Sequence, residues 1–162
     1  MDEANNEQDV ATWHRRFAVE SNNRAWQLSE AEARSSAEDQ EMLEAAHAAA
    51  YHWRKVGTAV HAARADMLLA HVHALLGHGA IAMPYAQASF ASVTSRESPD
   101  WELAFAHAVL ANAAFAAADA PLHAHHYALA QKIGSGLANA EDRTIFEATF
   151  SRIPDPNSTL DR

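Results

Sequence analysis

Eleven histidines and no cysteine make imidazole the side chain through which this chain would bind a metal or move a proton. A helix presents two ligands to one ion when they lie three or four residues apart, because such side chains leave the same face. No two histidines are four apart, and only His123 and His126 are three apart. His47 and His52, in the stretch AAHAAAYHWRKVGT (45–58), are five apart, or about 140° around a helix of 3.6 residues per turn. One helix cannot bring both to one ion, so they are expected to serve different neighbours. His71 and His73 likewise point to nearly opposite sides. Glu44 and His47 have the Glu-x-x-His step of di-iron bundles, but that site takes such a motif from each of two helices. One copy leaves Glu44 and His47 as weak metal candidates.

Other chemistries find less. There is no HExxH zinc motif, no GxSxG or serine–lysine nucleophile and no phosphate-cradling glycine loop. No catalytic residue and no cofactor are assigned. His52, Arg54 and Lys55 close a helix, where cations favour the negative dipole end. His47 reads as a hydrogen-bonded core or groove histidine, and Trp53 continues the Met42, Ala46, Ala49 stripe as core. His123, His125 and His126 read as solvent-exposed. Asn22 and Asn23 are less usual, because asparagine amides compete with helical hydrogen bonds. Two together in a helix interior imply bonds to a neighbouring helix or to a ligand. Packing of the first helix on the second would bring Asn22, Asn23 and Arg24 toward His47 and His52. With Trp53 and His107 these residues form the candidate polar pocket.

The elements that must position these groups are helices. Alanine makes up 39 of the 162 residues, and it forms helices best because it loses no side-chain entropy. Apolar spacing and end signals place about seven helical segments. The first runs from Val10 to Leu28, with Trp13, Phe17, Ala25 and Leu28 on its stripe. Ser35 and Glu38 form a capping box for the second, which ends at Val56 before Gly57 and Thr58. The third runs from Ala59 to Leu76 and stops at Gly77. The fourth lies within Ala80 to Ser95, with Pro84 either a kink or its first turn. Ser98, Pro99 and Asp100 open the fifth, and Asp119 caps the sixth. A short last helix opens at Asn139 and closes near Arg152. Residues 10–152 are thus expected to form a single domain, between a disordered segment at 1–9 and a loose tail at 153–162.

Composition narrows the partners. A net charge of −9 with neutral histidines repels a phosphate backbone, and no basic stripe reverses that locally, so nucleic acid is excluded as an expected partner. No apolar run reaches the roughly 18–20 residues of a membrane span. The N-terminus does not read as a secretory signal, and the expected location is cytoplasmic. An alanine-rich face would suit a homodimer.

Two stretches carry a weak internal repeat. Leu75, Leu76 and Gly77 lead into Tyr85, Ala86, Gln87 and Ala88; Ala117, Ala118 and Asp119 lead into Tyr127, Ala128, Leu129 and Ala130. With Ala70, Ala82 and Ser89 at small-residue positions, this pattern resembles the tetratricopeptide repeat, a helix–turn–helix unit of 34 residues, although the unit here is longer. The blocks AVESNNRAW (18–26), AAHAAAYHWRKVGT, RADMLLAHVHALLG (64–77) and DWELAFAHAVLANAA (100–114) are also similar to an uncharacterised bacterial helical family, over about Trp13 to Ile153. That family brings no activity or ligand. The tetratricopeptide resemblance implies a right-handed stack of antiparallel helix hairpins and a non-catalytic binding protein whose groove takes a peptide or protein partner. The alternative is a small enzyme, or a small-molecule or metal binder, with a histidine-containing pocket between the first helices.

Overall fold

A computed structural model describes residues 2–158, with side chains from Gln8 onward. The described residues form seven α-helices and no strand: α1 (Asp2–Ser29), α2 (Ser36–Val56), α3 (Ala59–Leu75), α4 (Gly79–Thr94), α5 (Asp100–Ala116), α6 (Ala120–Ser135) and α7 (Ala140–Phe150).

Local chemistry sets most of the ends. The Ser35 backbone N–H donates to Glu38 Oε2 at 2.8 Å, and the Glu38 N–H donates to Ser35 Oγ at 3.3 Å. This is the expected capping box. Asp119 accepts from the Leu122 N–H, and Asn139 accepts from the N–H groups of Glu141 and Asp142. The start of α5 differs by one residue, because Pro99 holds the cap position and the Ser98 hydroxyl turns back to donate to the Val93 carbonyl. Pro84 lies inside α4, in its second turn.

The exits of α3 and α5 are alike. At each, one residue adopts positive φ, Gly77 at 75° and Ala118 at 59°. The next N–H then reaches back five residues, His78 to the His73 carbonyl and Asp119 to the Ala114 carbonyl. This is the Schellman turn, which suits glycine and costs an alanine.

Consecutive helices pair antiparallel. On α1 and α2, Arg24 meets Glu41 while His14 meets His52. On α2 and α3, His47 meets His73 while Trp53 stacks on His61. On α5 and α6, His107 meets His126 while His123 meets the Ala111 carbonyl. Alternate helices therefore share a direction. On α3 and α5, Arg64 meets Glu102 and, two turns on, His71 meets Asn112. Helix α5 is the centre of the fold, buried without a break from Ala104 to Ala114, as a helix that is apolar all round must be.

The first helix departs from expectation. Trp13 and Phe17 are 51% and 43% exposed, not part of the core stripe that Ala18, Ala25 and Leu28 form. Arg15 already reaches the last carbonyl of α2, that of Val56. Most of α1 before it therefore extends beyond the partner helix. Its described start at Asp2 takes in residues 2–9, which the sequence reading set outside the helices. Met1 and residues 159–162 lie outside the described residues. Of the expected loose tail, Ile153 is buried in the core at 4% exposure. No helix among the described residues is long and apolar enough to cross a membrane.

Candidate functional site

The histidines pair with one another instead of converging. His47 Nε2 lies 3.2 Å from His73 Nε2, and His73 Nδ1 lies 3.2 Å from His78 Nδ1. His14 and His52 meet through Nδ1 at 2.7 Å, and His107 and His126 meet through Nδ1 at 2.8 Å. A hydrogen bond between two imidazoles needs one bare nitrogen, so each pair holds at least one neutral ring. Burial, with repulsion from His47 and His78, lowers His73 to about 4. Burial, with repulsion from His126 and His125, does the same for His107. His71 is also lowered to about 4, by burial and then by Arg34. His123 and His126, expected in solvent, are buried, because their face of α6 lies against α5. Of the three, only His125 is exposed.

The expected pocket residues are dispersed for the same reason. His47 is exposed toward α3 and His52 faces α1. Trp53 is half-buried, stacked on His61 with ring centroids 4.3 Å apart. Arg24 forms a two-point ion pair with Glu41, at 2.7 and 2.9 Å. Asn23 is exposed, and its amide oxygen accepts from Asn22. His107 lies on the α6 side of α5, far along the chain of packed helices from α1. Glu44 is exposed and accepts from Gln40, not from a metal-sharing neighbour. Among the described residues no three histidine, aspartate or glutamate side chains are arranged to hold a metal ion.

A cavity among the described residues lies elsewhere, and Asn22 alone of the expected residues reaches it. It has a volume of about 430 Å³ and is lined by Asn22 and Trp26 from α1, Glu30 just after α1, Arg64 and Met67 from α3, Trp101 and Phe105 from α5, and Asp142, Ile145 and Thr149 from α7. These residues recur at steps of three or four, so each helix turns one row of side chains inward. The middle is aromatic. Trp26 and Phe105 meet edge to face at 5.9 Å, as do Trp101 and Phe105 at 6.3 Å. His71 stacks behind Trp26 at 5.5 Å, and Phe146 stands behind Phe105 at 5.6 Å. These walls are packed on their far sides and so preformed.

The two ends differ chemically. At one, the Arg64 guanidinium lies 5.0 Å over the Trp101 ring and donates to Glu102 Oε1 at 2.8 Å. Arg96 donates to the same oxygen at 2.8 Å. Glu102 is fully buried. Burial alone would raise its carboxyl, but the two guanidinium groups hold it below its ordinary range. At the other end, burial raises Glu30, against smaller opposing effects of the Thr149 hydroxyl and Arg152. Thr149 is 1% exposed, and its hydroxyl faces the Glu30 carboxyl without completing a hydrogen bond to it or to any other described group.

Sequence reasoning missed nine of these ten residues. Their signal was available only as short rows: Asn22, Trp26 and Glu30; Trp101 and Phe105; Asp142, Ile145 and Thr149. The first and the last mix an apolar wall with polar groups at helical spacing. No family model, curated protein or solved structure matches the chain.

Proposed function

We propose that this chain is a non-catalytic binding protein, a tetratricopeptide-like stack of hairpins whose alternate helices form a groove for a peptide or protein partner. The observation that carries this reading is the origin of the pocket: its lining comes from α1, α3, α5 and α7 and from no other helix. These are the alternate helices that run in one direction. In a right-handed stack of hairpins they would form the inner face, which is the binding surface of such solenoids. A volume of about 430 Å³ falls in the range of small-ligand sites, and aromatic walls with a few polar groups are the usual lining. The groove thus suits one apolar-bodied group, carried by a peptide partner or by a free small molecule. No histidine lines it, so nothing in its geometry favours an enzyme built on imidazole.

The test is a titration of isotope-labelled protein with the neutral probes indole and 2-phenylethanol, followed by NMR at the indole N–H signals of Trp26 and Trp101. Saturable shifts confined to the four lining helices are expected, and Ile145→Trp, which narrows the mouth from a half-exposed position, should abolish them. Shifts scattered over other surfaces, or unchanged by Ile145→Trp, would count against the groove.

A further inference from the structure

Taking the pocket as a binding site, we propose that its ligand is an organic cation: an ammonium group on an apolar stem, with the ammonium between Glu30 and Thr149 and the stem among Trp26, Phe105 and Trp101. The Thr149 hydroxyl is the first sign of such a ligand. It lines the pocket at 1% exposure, facing Glu30 but completing no hydrogen bond, and a buried hydroxyl in that state costs free energy until something bonds to it. A ligand that donates a hydrogen bond would remove the cost.

Glu30 decides the sign of that donor. Its carboxyl lines the same end and is partly withdrawn from water. An ammonium group donates to both oxygens at once and supplies the charge that the carboxylate lacks. Arg152 stands near Glu30, with its Nη2 4.0 Å from Glu32, and burial outweighs its pull on the Glu30 carboxyl. Asp142 adds a second carboxylate to the lining. Arg64, the cation among the lining residues, is committed to Glu102 and to the Trp101 face. The aromatic rings add a face on which a cation is attracted and an anion repelled. The net charge of −9 concentrates cations near the protein as a whole.

An ammonium on an apolar stem has two sources, a free amine or the lysine side chain of a peptide. Calorimetric titration should compare 2-phenylethylammonium with its neutral isostere 2-phenylethanol and with the anion 3-phenylpropanoate, and then with an N-acetylated, C-amidated Gly-Lys-Gly peptide. The cation is expected to bind at least tenfold more tightly than the neutral isostere, and the anion not at all. Tighter binding of 2-phenylethylammonium than of the peptide assigns the site to free amines; the reverse assigns it to lysine.

Glu30→Gln should remove most of the preference for the cation, read as the ratio of its affinity to that of 2-phenylethanol in the same variant. Thr149→Val, which keeps shape and deletes the unpaired hydroxyl, should weaken the cation severalfold in a protein that folds at least as well as wild type. Equal binding of cation and neutral isostere would overturn the charge assignment and leave the groove intact. Binding of none of the probes would overturn the groove as well.

Discussion

Glu102 offers the sharpest test of how the pocket is held. It is 0% exposed, while the side chains of Arg64 and Arg96 that bond to it are 42% and 27% exposed. Both guanidinium groups use Oε1, and Oε2 has no partner. Breaking a buried ion pair costs about 3–5 kcal/mol when it strands a buried charge. In Glu102→Ala the stranded charges are the arginines, which can turn to water, so the low end, about 3 kcal/mol, is expected. Removing one arginine leaves the other in place and should cost about 1 kcal/mol. Removing both leaves a lone carboxylate with no water, so the double variant should lose distinctly more than the sum of the two singles. Urea unfolding of the wild type, the single variants and the double variant measures every term. The pH dependence follows from the sign of the shift. A carboxyl held below its ordinary range stabilises the fold fully above the unfolded value of about 4.3, and loses that contribution as pH falls through the lower folded value. The cost of Glu102→Ala should therefore shrink between pH 7 and pH 3. Additive arginine variants, or a Glu102→Ala cost under about 1 kcal/mol, would refute the reasoning.

Other consequences can be measured on the same protein. Ala118→Gly should stabilise by about 1 kcal/mol and raise Tm by about 2–4 °C, because the left-handed conformation costs a residue with a Cβ; Gly77→Ala, with open space around it, should do the opposite, and calorimetry reads both. Stability should fall as pH drops from about 6.5 toward 4, because His71, His73 and His107 stay neutral in the folded chain down to about 4 while the unfolded chain takes up protons. Each unit of pKa difference is worth about 1.4 kcal/mol per group, so unfolding midpoints at pH 7 and pH 5 should differ clearly, and replacing His107 and His126 together by phenylalanine should reduce that difference. Gly134→Ala should lose about 1–3 kcal/mol in denaturant unfolding, since a Cβ there would enter the space of the Phe146 ring. Thr149→Val should leave the unliganded protein as stable as wild type or more so, by thermal melting, because it deletes a buried hydroxyl with no partner.

Much of this protein was decided by local chemistry and is legible in its sequence. Alanine content and the scarcity of proline and glycine dictate helices. Ser35 with Glu38, Asp119 and Asn139 fix three helix starts, because each satisfies amides that the first turn leaves free. Gly77 fixes one exit. The five-residue step between His47 and His52 separates them, and the structure sends one to α3 and the other to α1.

What the sequence did not show depends on which helix lies beside which. Trp13 has the spacing of a core residue, yet it is 51% exposed and stacks on the half-exposed Phe17. His123 and His126 look like a polar face until α5 supplies the Ala111 carbonyl and His107 as partners. The pocket takes two or three side chains from each of four helices, with more than a hundred residues between Asn22 and Thr149. No local pattern marks such rows as sharing a cavity, since the same spacing serves any buried face. Only the packing of the alternate helices turns them toward one another, and the same packing leaves the Thr149 hydroxyl buried without a partner at the pocket's end.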